Sequence, residues 1–262
     1  MTLLLGLLAV IAYLIETGII IRTLYRNDNE KRLILAWFAV IAHFAYTILT
    51  FQQGHNLDFG VFTTGSIIAM VVTLLLLLTA WTKPVAQLGI ALFPLTALML
   101  GLEMSFPGLT RQLHTYGWQM NAHILTSIIA FGLLNIAALQ AILVYIQNQQ
   151  LRSHPPKPII QRLPPLQTME TLMFQMVTAG VVFLSVSLIT GFLFIENLFA
   201  QHLAHKTILS ILAWLVFSGL LVGRYWFGWR GKMAVKWTIA GFLALLLAYF
   251  GSKVVLELIL KR

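Results

Sequence analysis

The sequence predicts an all-α, polytopic membrane helix bundle of about eight transmembrane helices, and two observations predict it. Of the 262 residues, 59% are hydrophobic and only 10% are charged, whereas a soluble domain carries about 25% charged residues. In addition, eight apolar stretches approach or exceed the ~20 residues that a helix needs to cross the hydrocarbon of a bilayer. The polar segments between them are too short to fold alone, so we expect a single integral membrane domain over 1–262.

The eight spans follow one another closely along the chain. They are predicted at roughly 3–21, 33–51, 61–81, 85–102, 122–146, 172–198, 208–227 and 235–256. The fourth span is short and is interrupted by Pro94, because proline removes a helical hydrogen bond. Arg22 and Arg26 follow the first span, which is the wrong flank for a cleavable signal peptide and the right one for a first membrane helix.

The basic residues predict which loops face the cytoplasm. Twelve of the 17 Lys and Arg residues lie in loops after odd-numbered spans, and five lie on the opposite side or at the C-terminal end. Because cytoplasmic loops carry the excess of Lys and Arg, we expect both termini outside. Five of the eight prolines fall between 154 and 168, and proline stiffens a chain. We therefore expect a semi-rigid cytoplasmic linker over 152–168 that separates one bundle, about 3–146, from another, about 172–256.

Composition excludes several kinds of chemistry. The chain has no cysteine, which excludes disulfides, thiolate metal sites and thiol redox chemistry. The net charge of +9 is spread over short loops between apolar spans, a pattern typical of membrane topology rather than of nucleic-acid binding. We find no nucleophile–base pair, no glycine-rich phosphate loop and no carboxylate pair placed for acid–base catalysis. We therefore do not expect an enzyme with its own turnover.

Three histidines are candidate ligands of haem iron. His123 and His205 begin the fifth and seventh spans on the predicted outer side, and His43 lies near the middle of the second span. Neutral imidazole binds zinc, copper and haem iron. With no cysteine and few acids, a zinc or di-iron site is poorly supplied, whereas two imidazoles from different helices could clamp a porphyrin. His43 has a second interpretation, as a neutral histidine bonded to a neighbouring helix.

The other four histidines are ordinary loop residues in this interpretation. His55, His114 and His202 fall in outer loops and His154 in the inner linker, where polar residues are common. The outer side also supplies residues that suit a porphyrin. The ring could be covered by aromatic side chains and its propionates paired with basic ones; the candidates are Trp118, Tyr116, Phe106 and Phe199, and Arg111 or Lys206.

Four segments of the second half carry a resemblance to a known family. They are HILTSIIAFGLLNIAALQA (123–141), LPPLQTMETLMFQMVTAGVVFLSVSLITGFLF (163–194), HKTILSILAWLVFSGLLVGRYWFGWRG (205–231) and AYFGSKVV (248–255). With them the chain resembles the cytochrome c assembly membrane proteins of the CcsA/CcmC type, and more closely their HemX/YpjD-like branch. The resemblance implies a multi-pass bacterial inner-membrane protein that binds haem and presents it on the outer face to apocytochrome c.

The resemblance also assigns residues and marks one departure. It implies that His123 is the family's outer histidine and His43 its early intramembrane histidine, while His205 has no firm counterpart. Between the sixth and seventh spans the family carries a tryptophan-rich loop of the WGxxWxWD kind. Here the segment is FIENLFAQHLAHK (194–206), which contains no tryptophan. The haem-presenting platform is therefore expected to be reduced or absent.

The expected function is haem binding or haem delivery in cytochrome c biogenesis. His123, with His205 or His43, would be the axial ligands of haem b. The expected partners are the lipid bilayer and apocytochrome c or other haem-assembly proteins, with no nucleic acid. Two alternatives stay open: a transporter or its regulatory subunit, which Pro94 and the helix glycines would suit, and a scaffold that stabilises a larger membrane complex without haem.

Overall fold

The computed structural model describes residues 2–26, 33–52, 61–106, 118–152, 160, 163–194 and 204–251. The α-helices with described bounds are α1 (Thr2–Arg26), α2 (Ile34–Gln52), α3 (Val61–Ala80), α4 (Gly89–Ser105), α5 (Trp118–Arg152), α6 (Leu166–Phe194), α7 (Ala204–Phe227) and α8 (Lys232–Leu246). A 3-10 helix, Ala86–Leu88, precedes α4, and a π-helix, Leu247–Gly251, continues α8. These elements follow the order and approximate positions of the eight predicted spans.

Seven of these helices are long and apolar enough to cross a membrane. The exception is α2, whose apolar part, Ile34–Thr50, is shorter. The described residues contain no β-strand, as expected where every backbone donor and acceptor must be satisfied within its own segment. The predicted all-α, multi-pass fold is thus confirmed, while the outside location of both termini stays a prediction.

The helices carry their apolar side chains outwards. On α1, Leu7, Ile11 and Leu14 are each half exposed, whereas Tyr13 and Glu16 on the opposite face are almost completely buried. This is the reverse of a soluble helix, and it suits a lipid environment in which polar groups find partners only inside the bundle. The polar residues of the spans therefore mark the inner faces.

Pro94 does not end the fourth helix. The α4 helix runs from Gly89 to Ser105 with Pro94 inside it, so the expected interruption of this span is wrong. Proline removes one backbone donor, and the loss can be absorbed within a packed bundle. Two residues later the Thr96 hydroxyl donates to the Leu92 carbonyl at 3.0 Å and lies 2.8 Å from the Thr73 hydroxyl on α3.

The chain divides into two compact units, Met1–His114 and Thr115–Arg262. Helices α1–α4 belong to the first unit and α5–α8 to the second. The division falls before α5, and α5 packs extensively on α6. The proline-rich segment therefore joins two helices of one unit, and the expectation that it separates two bundles is wrong. That the whole chain forms a single membrane domain stays a prediction.

In the first unit, α1 packs on both α2 and α4, and α3 packs on α4 and α2. Close approach depends on Gly6 of α1, where an added Cβ would lie 2.7 Å from the Met104 sulfur and 3.2 Å from the Tyr46 ring. Small residues at such crossings let membrane helices pack backbone against side chain. The buried Glu16 carboxylate of α1 accepts a hydrogen bond from the Ala36 N–H at 3.2 Å, which satisfies an orphan donor in the first turn of α2.

In the second unit, α5 and α6 lie antiparallel along their lengths. Paired residues mark the register: Gln147 with Pro164, Gln140 with Met169, Leu134 with Gly180, Ser127 with Ser187 and Trp118 with Phe194. Residue numbers fall along α5 as they rise along α6, which is the order expected of an antiparallel pair. The α8 helix packs on α5 and α7, with the Phe217 ring against Gly241.

Candidate functional site

His123 lies one and a half turns into α5, at the end of the helix that faces the C-terminal end of α6. Its Nδ1 is 2.9 Å from the Ser187 carbonyl oxygen and 3.3 Å from the Thr190 hydroxyl. A carbonyl oxygen only accepts, so Nδ1 carries the proton and donates it. Nε2 then holds a lone pair, and among the described residues none forms a hydrogen bond with it.

The bond from Nδ1 to a carbonyl oxygen is one that metal-ligating histidines also make. A ligating imidazole usually donates its second ring N–H to a carbonyl or carboxylate, which fixes the tautomer and the orientation of the ring. The His123 ring is held from one more side by Gly191, where an added Cβ would lie 3.1 Å from Cε1. The ring is therefore oriented by three residues of α6, and its Nε2 forms no hydrogen bond with the described residues.

Serine side chains brace the same level of the α5–α6 pair. The Ser127 hydroxyl donates to the His123 carbonyl at 2.6 Å, and its oxygen lies 2.6 Å from the Ser187 hydroxyl oxygen. The Trp118 and Phe194 rings pack with centroids 6.2 Å apart at the adjoining helix ends. Trp118 is 72% exposed, so this end presents an aromatic surface beside the histidine.

His205 lies in the first turn of α7, in the same unit as His123, and its side chain is exposed. No contact between the two imidazoles is present among the described residues. Lys206, next to it, is partly buried. The structure thus holds one oriented imidazole, on α5, and one exposed imidazole, on α7.

His43 has a different environment. It belongs to the first unit and is completely buried. Its Nε2 is 2.9 Å from the Ser66 hydroxyl, and its Nδ1 is 3.5 Å from the Tyr13 hydroxyl. One set of protons satisfies both bonds: Tyr13 donates to Nδ1, and Nε2–H donates to the Ser66 hydroxyl oxygen.

Both nitrogens of His43 are therefore engaged with protein groups. This agrees with the second interpretation of His43, as an imidazole bonded to neighbouring helices, and a ligand role would require one of these bonds to break. The side chain of Glu103 on α4 is 8% exposed, and its Oε2 has no hydrogen-bond partner among the described residues. His43, Ser66 and Glu103 are thus three buried polar residues, one each on α2, α3 and α4.

Several of these residues escaped the sequence analysis. Ser187, Thr190 and Gly191 lie in the segment SLITG of the sixth span, three and four residues apart and thus on one helix face. A polar and small triplet on one face of an otherwise apolar span is a signal that could have found them. Glu103 is a single acid at the end of the fourth predicted span, and Ser66 follows Thr63, Thr64 and Gly65 at the start of the third, so neither belongs to a periodic pattern that points to His43.

The remaining predicted site residues fall in two groups. Phe106 lies in the first unit, where it packs on Phe62 with centroids 5.6 Å apart. Outside the described residues lie His55, His114, His154, His202, Arg111, Tyr116 and Phe199. Among the described residues, no group of three or more His, Asp or Glu side chains could hold a metal ion.

Comparison with known proteins identifies the family of this chain. The family model described as cytochrome C assembly protein matches residues 3–260. The inner membrane protein YpjD of Escherichia coli is 33% identical over 263 residues, which cover 97% of this chain and 98% of the relative. No solved structure matches the chain.

Two further relatives match shorter parts. HemX of Brevibacillus brevis is 24% identical over 131 residues, 49% of this chain and 48% of HemX. The cytochrome c biogenesis protein CcsA of Prochlorococcus marinus is 29% identical over 87 residues, 32% of this chain and 28% of CcsA. The full-length match and the seven membrane-capable helices agree with the localisation predicted from sequence. The chain is therefore a multi-pass inner-membrane protein that belongs to the cytochrome c assembly protein family.

Proposed function

We propose that this protein handles haem in cytochrome c biogenesis, with His123 as the ligand that meets the iron. The observation that carries the proposal is the bond from His123 Nδ1 to the Ser187 carbonyl at 2.9 Å. This bond fixes the neutral tautomer in which Nδ1 carries the proton, so that the Nε2 lone pair is available to a ligand. The family and its member named for cytochrome c biogenesis supply the chemical class of the cargo.

The residues around His123 fit a flat, apolar cargo with an iron centre. The donor set is imidazole alone, which suits haem iron better than a hard cation. The exposed Trp118 and its partner Phe194 supply aromatic surface at the same helix ends. A haem b bound here would be held without covalent bonds to the chain, so it could be passed on to a partner such as an apocytochrome c.

For the second axial ligand we propose His205 rather than His43. His205 is exposed and belongs to the same unit as His123. His43 is completely buried with both ring nitrogens bonded, so its use as a ligand would cost two hydrogen bonds inside the bundle. Lys206, which follows His205, is the candidate partner of a propionate. The outer face is the side on which we place this site.

The test is the reduced-minus-oxidised absorption spectrum of purified protein supplied with haem. We expect a b-type spectrum in the parent, its loss in His123→Ala, and an altered or weakened spectrum in His205→Ala. His43→Ala is the matched control, because it also removes one imidazole, and it should keep the spectrum. His123→Gly with added imidazole should regain it, since free imidazole can occupy the vacated position.

Two results would contradict the proposal. If the folded parent takes up no haem, the proposed haem-handling function is refuted. The transporter and scaffold alternatives would then be preferred. A spectrum that survives His123→Ala but disappears in His43→Ala would move the ligand to the first unit. The helical circular dichroism of each variant shows whether a lost spectrum reflects a lost ligand or a lost fold.

A further inference from the structure

The turn between α7 and α8 is short and internally fixed. Four residues connect Phe227 to Lys232, and two of them, Gly228 and Gly231, have φ values of 64° and 55°, in the left-handed region that glycine tolerates. Between them, the Trp229 N–H donates to the Gly223 carbonyl at 3.1 Å. The Trp229 ring packs on the Trp237 ring of α8 with centroids 5.0 Å apart. The turn therefore holds a defined shape.

The carboxylate of Glu170, on α6, is bound to this turn. The Arg224 guanidinium lies 3.7 Å from the Glu170 carboxylate of α6 and donates to the Trp229 carbonyl at 3.3 Å. It also lies 4.7 Å from the centre of the Phe174 ring. The same Glu170 oxygen accepts from the Gly231 N–H at 3.2 Å. Glu170 thus neutralises Arg224 and binds the backbone.

Three further cations point outwards without a counter-ion. Arg230, Lys232 and Lys236 are all exposed, and among the described residues none of them forms an ion pair. The first turn of α8 contains no acidic residue. Since Glu170 is already engaged by Arg224, the described part of the chain offers these three cations no anion. An anion from outside the protein would complete the surface.

Exposed aromatic residues adjoin the three cations. Tyr225, Trp226 and Phe227 are 85%, 75% and 71% exposed in the last turn of α7. Amphipathic aromatic rings collect at the level of lipid headgroups, and this turn ends one membrane-capable helix and begins another. The anions found at that level of a bilayer are the phosphates of lipid headgroups.

We propose that the basic–aromatic turn, Tyr225, Trp226, Phe227, Arg230, Lys232 and Lys236, is a binding site for anionic phospholipid headgroups. The aromatic rings insert between the headgroups, and the three cations bind the phosphate and the negatively charged headgroup. The internal Arg224–Glu170 pair and the Glu170–Gly231 bond hold the turn, and Lys232 and Lys236, four residues apart, lie on one face of α8. This site is separate from the proposed haem site and stands without it.

The experiment compares retention of phosphatidylglycerol and phosphatidylcholine by the full chain in native mass spectrometry. Each basic residue near an anionic surface contributes about a fivefold preference. We therefore expect the variant Arg230→Gln, Lys232→Gln, Lys236→Gln to lose at least tenfold of the preference for phosphatidylglycerol. The control variant Arg22→Gln, Arg26→Gln, Arg152→Gln removes the same charge from exposed ends of two other helices and should lose clearly less of the preference, because these three cations do not share one turn.

Equal loss in both triple variants would overturn the proposal, because it would reduce the effect to net charge. Retained preference in the first variant would overturn it as well. A second measurement needs no change in charge. The fluorescence of Trp226 is the part of the parent's fluorescence that is missing in Trp226→Phe. Brominated phosphatidylglycerol should quench this part more strongly than brominated phosphatidylcholine does. Equal quenching by the two lipids would refute a headgroup site at this turn.

Discussion

Substitution of Gly180 by alanine tests the register of α5 against α6. A Cβ at Gly180 would lie 2.6 Å from Leu134 Cγ and 2.7 Å from its Cδ2, against an ordinary contact of 3.4–4 Å. The two helices must therefore yield by about 1 Å, and Leu134 is completely buried. Overpacking of this kind costs about 1–3 kcal/mol. Alanine gains about 1 kcal/mol over glycine as a helix former, so Gly180→Ala should destabilise by up to about 2 kcal/mol.

The sign of the effect should reverse when Leu134 is shortened. In a Leu134→Ala background the atoms that collide with the new Cβ are gone, and only the gain of about 1 kcal/mol in helix propensity remains. Gly180→Ala should then stabilise the protein, although Leu134→Ala alone is destabilising because it leaves a cavity. The double-mutant cycle therefore predicts a coupling free energy of about 1–3 kcal/mol.

The assay is the free energy of unfolding, measured by titrating the folded protein with a denaturing detergent in mixed micelles. Gly101→Ala is the matched control, since nothing lies within 4 Å of a Cβ added there. It should stabilise the protein by up to about 1 kcal/mol, and by the same amount in both backgrounds. If Gly180→Ala changes the free energy equally with and without Leu134, to within about 0.5 kcal/mol, then the two residues do not face each other and the register is wrong.

Two further predictions concern buried polar groups of the first unit. Glu16→Ala should cost about 1–3 kcal/mol in the same detergent titration, because it leaves the Ala36 N–H without its acceptor. Glu16→Gln should recover most of that loss through its amide oxygen, and equal damage by both variants would show that the bond to Ala36 is unimportant. Thr73→Val should cost only about 0.6 kcal/mol, because the Thr96 hydroxyl keeps its bond to the α4 backbone. A loss above about 2 kcal/mol would mean that the Thr73–Thr96 pair contributes far more than such bonds usually do.

The sequence predicted the helices well because a bilayer imposes their length. Each apolar run of about 20 residues corresponds to one helix, as the positions of α1–α8 show. These runs do not indicate which helices pack on each other, because the lipid-facing and the buried faces of a helix are both apolar. For that reason the sequence predicts a boundary between bundles at the proline-rich segment, although α5 and α6 pack within one unit.

For the candidate site, the sequence predicts which histidines to consider but not which residues they contact. His123 could be selected because an imidazole at a membrane helix end is unusual, but its orientation depends on Ser187 and Gly191, more than 60 residues away. The depth of His43 in its span was also predictable. Its bonds to Tyr13 and Ser66 were not, because they depend on how three helices rotate about their axes.

The length of α5 has a mechanical consequence. Its 35 residues make a rod of about 52 Å, against a hydrocarbon thickness of about 30 Å. The rod is fastened to α6 near both ends, by Gln147 to the Pro164 carbonyl and by His123 to the Ser187 carbonyl. A tilt of about 10° about its middle would move His123 by about 3 Å and Arg152 by about 4 Å in opposite directions. If α5 and α6 tilt together, a displacement of the Arg152 end therefore moves the imidazole as well, while the bond that orients it is kept.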